Sequence, residues 1–192
     1  MKNTLRALVT TVLVGGGLLG TLAACNTAPS AEDRASFQVE AGASRDRFVR
    51  ETSGLREQLL SSAGYLVFPG VGQWGLIFGG GTFGRAVVYS AAGNQEGWAA
   101  VSNPSFGLQL GGQGLQMMIV FANAEVFSKF KENVLSGSAG ATAVGGEAGA
   151  AAVAPYTNGV AVYVTGQKGL MAGASVGLQY LRFEKLEAAA VP

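Results

Sequence analysis

The stretch from Gly64 to Gly84 reads Gly-Tyr-Leu-Val-Phe-Pro-Gly-Val-Gly-Gln-Trp-Gly-Leu-Ile-Phe-Gly-Gly-Gly-Thr-Phe-Gly, and it constrains the fold more than any other part of the chain. Eight of its 21 residues are glycine, and at about 1 kcal/mol each in a helix interior they exclude a helix here. The aromatic and β-branched residues between them suit a pleated, half-buried surface, and glycine allows bends and close backbone approach. Bent, closely packed strands are therefore expected. The same stretch contains Gly79-x-Gly81-x-x-Gly84, a spacing shared with dinucleotide-phosphate loops. Such a loop must end a strand and open a helix whose N-terminus faces the pyrophosphate. Arg85 to Tyr89 reads as strand instead, and no Gly-Lys-Ser/Thr follows, so packing is the expected role of these glycines.

The 192 residues are 48% hydrophobic, enough for one domain with a substantial core. Thirteen Lys and Arg stand against 12 Asp and Glu, which leaves no basic stripe for nucleic acid. Histidine is absent. The commonest general base and zinc ligand are therefore missing, and the remaining carboxylates Glu96, Glu125 and Glu147 lie far apart in sequence. Ser128 and Lys129 are adjacent on an expected helix and do not face each other. No nucleophile and base constellation can be assembled, so no enzyme is expected, and no cofactor or metal.

Residues 1 to 24 have the make-up of a secretory signal peptide: Lys2 and Arg6 at the start, an apolar run from Leu8 to Leu19, and Leu22-Ala23-Ala24 before Cys25. The apolar run is shorter than the roughly 20 residues of a membrane span and is broken by Gly15, Gly16 and Gly17. A plain signal peptide or signal anchor is the alternative. Cys25 is the single cysteine, so it has no partner for an intramolecular disulfide. Lys2 and Arg6 lie before Cys25 and no acidic residue does, so a chain processed there keeps 11 basic and 12 acidic residues.

Residues 25 to 35 are small and polar around Pro29 and read as a flexible tether, with the domain occupying 36 to 192. From about Ser36 to Ser62 a helical period places Phe37, Ala41 and Phe48, then Leu55, Leu59 and Leu60, on apolar faces. Thr52-Ser53-Gly54 divides it into two helices. Strands are expected at Tyr65 to Phe68, stopped by Pro69-Gly70, then at Trp74 to Gly81 and Thr82 to Ser90. A turn follows at 91 to 97, then a strand from Trp98 to Ser102, with Asn103-Pro104 as a break. Phe106 to Gln113 and Leu115 to Phe121 are further strands, the second almost wholly apolar and so central. Asn123 is a helix N-cap, and a helix over about Ala124 to Asn133 turns Val126, Phe127, Phe130 and Val134 inward. Ser136 to Ala154 is linker-like in composition, with short strands of small residues at Ala141 to Val144 and Ala150 to Val153. Tyr156 to Thr165 and Leu170 to Phe183 return to strand character. The fold class expected is α+β: one glycine-rich, mostly antiparallel, curled sheet, with N-terminal helices and one internal covering helix.

Several spaced motifs resemble the SYLF domain: Ala63-Gly64-Tyr65-Leu66-Val67-Phe68-Pro69, Gly75-Leu76-Ile77-Phe78-Gly79-Gly80 with Gly84, Gly107-Leu108-Gln109-Leu110-Gly111-Gly112-Gln113, the Asn123 helix, and Lys168-Gly169-Leu170-Met171-Ala172-Gly173. They run in order from about Arg47 to Phe183. The resemblance implies a lipid-binding module, since eukaryotic members bind phosphoinositides, partly through a basic amphipathic N-terminal segment. A yeast branch also regulates actin, a property not carried to a chain with a bacterial export signal. Two positions depart from the family pattern: Gln73 stands where a lysine is common, and Leu115-Gln116 where a Ser or Thr precedes an acidic residue. The segment ending in Cys25 is similar to bacterial lipoproteins, in which the cysteine sulfur receives a diacylglycerol, the chain is cut before it, and the new amino group is acylated, commonly with palmitate. Asn26 in place of an aspartate implies the outer membrane, periplasmic or surface-exposed.

The candidate lipid-binding residues are Arg45, Arg47, Arg50 and Arg56 on the N-terminal helices, with Lys129, Lys131 and Lys168. A solvated face laced with weak ion pairs to Asp46, Glu51 and Glu57 is the alternative. The expected partners are membrane phospholipid and a covalent diacylglycerol at Cys25. A structural lipoprotein that engages another envelope protein is the second reading, and a membrane-spanning barrel of glycine-rich strands the third.

Overall fold

The computed structural model describes residues 27–76, 79–105, 114–134, 140–141, 153–166, 169–172, 176–177 and 181–186. Cys25, Phe106 to Gln113, Gln167, Lys168 and most of Ser136 to Ala154 lie outside them. The expected α+β fold is what the chain forms. Helix α1 spans Arg34–Glu51 and α2 Leu55–Ser61. The break falls where expected: Thr52 is extended, and Gly54 takes φ 80° at the N-cap of α2, a left-handed conformation that glycine adopts without the Cβ penalty.

Seven strands form one sheet in the order β7-β6-β4-β1-β2-β3-β9, and β5 pairs with β8 separately. The strands are β1 Gly64–Leu76, β2 Gly79–Ser90, β3 Gln95–Ser105, β4 Gly114–Phe121, β5 Gly140–Ala141, β6 Val160–Gly166, β7 Gly169–Ala172, β8 Val176–Gly177 and β9 Leu181–Lys185. Every pairing among the described residues is antiparallel. Helix α3, Ala124–Lys131, lies between β4 and β5, with the Asn123 side chain accepting from Val126 N–H at 3.0 Å as an N-cap does.

The expected breaks at the two prolines give way to longer strands. Pro69 sits inside β1, where the register against both neighbours slips between Val67 and Val71, so the missing N–H falls in a bulge. Pro104 stays within β3, opposite Gly81. The run Trp74 to Gly81 folds back on itself, and Trp74 pairs with Gly81 across the β1–β2 hairpin. The Gly79-x-Gly81-x-x-Gly84 spacing therefore lies along a strand hydrogen-bonded on both sides, with no helix after it. Tyr156 to Thr165 begins with a turn rather than a strand: Asn158 and Gly159 take φ 51° and 77°, and Thr157 and Val160 exchange bonds of 2.8 and 3.0 Å. This is the Asn-Gly two-residue hairpin turn, whose twist matches that of the flanking chain.

The alternation of side chains along each strand divides the core in two. On one face Tyr65, Val67, Val87, Tyr89, Trp98, Met118, Val120, Ala161 and Tyr163 pack with Ala41, Phe48, Leu55 and Leu59 of α1 and α2. On the other, Leu66, Phe68, Val88, Ile119 and Val162 pack with Phe127 and Phe130 of α3. Phe130 stacks on Phe121 of β4 at 5.1 Å and meets Phe183 of β9 edge-on at 5.6 Å. One helix thus touches β4, third in the strand order, and β9 at its edge. Two residues expected inside are outside: Leu60 is 66% and Val134 56% exposed. Leu60 follows the buried Leu59 by one position on a helix of about two turns, so it points elsewhere, and Val134 lies past the end of α3.

The segment expected to be a tether is packed from its first described residue. Thr27, Ala28 and Pro29 are buried, and Ala28 N–H donates to Glu184 of β9 at 3.2 Å.

Candidate headgroup cleft and the basic residues

The basic residues fall on two sides of the sheet. Arg45, Arg47, Arg50 and Arg56 belong to the α1–α2 side, Lys129 and Lys131 to the α3 side, and Lys168 lies outside the described residues. The four arginines do not form one stripe either. Arg45 and Arg47 are two positions apart on α1, about 200° around the helix, so they occupy opposite flanks of the buried Ala41, Ser44 and Phe48 line. Arg47 bonds Glu51 at 2.8 Å, one turn along. Arg50 is exposed on the outer surface.

Arg45 and Arg56 are brought together. They line one cleft of about 250 Å³ with Asp46, Val49, Leu59, Leu60, Tyr65 and the Ala91-Ala92-Gly93 turn. The chain builds it in three steps. The Thr52-Ser53-Gly54 break separates α1 from α2, and a basic residue from each helix lines the same space. The β2–β3 turn, with Gly93 at φ 82°, supplies the facing wall. Tyr65 lines the cleft, and its ring stacks at 5.2 Å on Tyr89, directly opposite in the β1–β2 register.

The charge of Arg45 is fixed by its surroundings. Its guanidinium lies 5.9 Å from the Tyr89 ring centre and bonds Asp46 at 2.9 Å. Partial burial works against the charge, but hydrogen bonds to Asp46 and Tyr65 outweigh it and hold the group above its ordinary value. Burial likewise pushes the Tyr89 hydroxyl up, with Arg45 opposing. Arg56 is exposed at the mouth, beside the exposed Leu60. The arrangement suits an anion held by two guanidinium groups, with apolar surface next to it.

The lysines of α3 serve its packing. Lys131 lies 4.5 Å from the Phe127 ring and bonds Glu96 of β3 at 2.9 Å, tying the helix end to the sheet. Lys129 bonds Glu125 one turn back at 2.6 Å. Tyr65 and Tyr89 were not among the expected site residues. Their signal is the hairpin register, since pairing Gly64 with Ser90 sets the two tyrosines opposite each other.

Among the described residues no group of three carboxylates or cysteines could hold a metal ion. No described helix is long and apolar enough to cross a membrane. Comparison with models of protein families finds no match to this chain, and comparison with curated proteins finds none either.

Proposed function

We propose that this chain is a bacterial envelope lipoprotein, anchored through Cys25, whose domain binds phospholipid by an anionic headgroup at the Arg45–Arg56 cleft. The convergence of two arginines from separate helices on one cleft carries the proposal. The resemblance of the Ala63 to Pro69 and Gly75 to Gly84 motifs to the SYLF domain supports it, as does the lipobox-like run before Cys25. Leu60 at the mouth offers apolar contact beyond the headgroup. The proposed location is the outer membrane, following Asn26. The domain performs no chemistry in this reading, and its task is recognition.

Each basic residue near an anionic membrane contributes about 1 kcal/mol, so losing both arginines of the cleft weakens binding roughly thirtyfold. Sedimentation of a chain beginning at Asn26 with vesicles of anionic phospholipid tests this. Arg45→Glu with Arg56→Glu is expected to leave the chain in the supernatant, and unchanged sedimentation would remove the cleft from the proposal.

The alternative partner, another envelope protein, rests on β7, which among the described residues pairs on one side only, with β6. Capture of one discrete envelope protein together with no vesicle binding would favour it.

A further inference from the structure

A second concavity lies at the other end of α1 from the arginine cleft. It measures about 630 Å³, within the usual range for a ligand pocket, and runs between the first turns of α1 and the middle of β1, β2 and β3, around Gly70, Phe83 to Arg85 and Ala100 to Ser102. Its walls are Pro29, Phe37, Phe83, Ala100 and Val101, with the backbones of Gly70 and Gly84. Phe83 is 54% exposed although it is a large apolar side chain. Gly70 leaves space there: a Cβ built on it meets nothing within 4 Å.

Two observations fix what belongs there. The first is the burial of the residues that follow Cys25 closely in sequence. Thr27 to Pro29 are buried, and Pro29 and Ser30 line the groove itself. Cys25 precedes Pro29 by four residues, at most about 14 Å of extended chain, so the groove is within range of a long acyl chain on its sulfur. The second is charge. Asp33 and Glu40 line the groove against the single cation Arg85. An anionic headgroup or a free fatty acid carboxylate is therefore disfavoured, whereas an uncharged hydrocarbon chain is suited to the Phe37, Phe83 and Val101 walls.

We infer that the groove beside Pro29 holds one acyl chain of the lipid carried by Cys25. The inference rests on the lipoprotein proposal and extends it. A chain seated there buries Phe83 and fixes the domain relative to its anchor, with the N-terminal end of α1 at the membrane side. Arg45 lies five residues past Glu40, about 8 Å along α1, and no residue lines both the headgroup cleft and the anchor groove.

The test uses the full chain in cells fed a fatty acid bearing a diazirine, with membranes irradiated before purification and the digest read by mass spectrometry. The expected result is labelled acyl on Cys25 together with crosslinks to peptides containing Phe37, Phe83 or Val101. Gly70→Trp, which fills the groove, is expected to keep the label on Cys25 and lose those crosslinks, and its circular dichroism spectrum reports whether the fold is intact. Label on Cys25 without groove crosslinks overturns the inference and leaves the lipoprotein proposal standing. The same crosslinks in a Cys25→Ser chain assign the groove to bilayer lipid and also overturn it. Absence of acyl from Cys25 overturns the lipoprotein proposal and the inference together.

Discussion

At the scale of single residues, the position that does most to finish the fold is Asn133. It follows α3 at φ 58°, with Asn133 N–H bonded to Phe130 O and Val134 N–H to Lys129 O, the pattern that ends a helix with a left-handed residue. Its side chain then accepts from Phe183 N–H at 2.7 Å and donates to Phe183 O at 3.2 Å. One amide thus satisfies the outward-facing groups of an edge strand as a further strand would. Asn133→Ala loses both bonds and leaves a Cβ-bearing residue without side-chain help in the left-handed region, a cost of about 1–3 kcal/mol. Thermal denaturation is expected to fall by roughly 2–4 °C for each kcal/mol, with Asn133→Gly intermediate because it removes only the bonds. Tyr163 gives a pH dependence. Its buried hydroxyl accepts from Ala154 N–H at 2.9 Å and donates to Gln58, and burial pushes it up to about 12. The unfolded value is about 10, so the folded state holds the proton more tightly, and the stabilisation is complete below pH 10 and lost as pH rises through 12. The unfolding midpoint in urea is expected to fall across that window, and Tyr163→Phe to flatten the fall.

At the scale of elements, glycines with opposite roles offer a direct comparison. A Cβ on Gly97 of β3 would stand 2.3 Å from the Glu184 carbonyl oxygen and 2.6 Å from the Phe183 ring, so β9 cannot pair as it does. Gly97→Ala is expected to destabilise by about 3 kcal/mol, the upper end of overpacking costs. Gly42 lies inside α1 with nothing within 4 Å of its Cβ position, and Gly42→Ala is expected to stabilise by about 0.5–1 kcal/mol. Denaturant titration of the two variants checks both signs. The helices were legible because their signals are local: the Thr52 to Gly54 break, the Asn123 cap, and the apolar spacing of Phe127 and Phe130. Strand ends were less so. Pro69 and Pro104 read as stops by local rule, yet pairing on both sides carries β1 and β3 past them, with a bulge absorbing Pro69. The Trp74 to Gly81 run hid a hairpin because its two halves share one composition.

At the scale of the whole molecule, the sheet is covered on both faces by helices, α1 and α2 on one and α3 on the other. The α3 side packs Phe121, Phe127, Phe130 and Phe183 together, and its lysines bond Glu96 and Glu125. The α1–α2 side carries both concavities, one at each end of α1. Sequence alone grouped seven basic residues because helix period and charge sign are visible in it. What it does not display is which side of a curled sheet each helix covers, and that division separates Arg45 and Arg56 from Lys129 and Lys131. In the proposed function, lipid recognition belongs to the first pair. Co-sedimentation with anionic vesicles at one ionic strength, comparing Arg45→Glu with Arg56→Glu against Lys129→Glu with Lys131→Glu, separates the two sides. The arginine pair is expected to lose vesicle binding roughly thirtyfold while the lysine pair, with its fold confirmed, retains most of it. Equal binding by the two double variants, or a greater loss in the lysine pair, would contradict it.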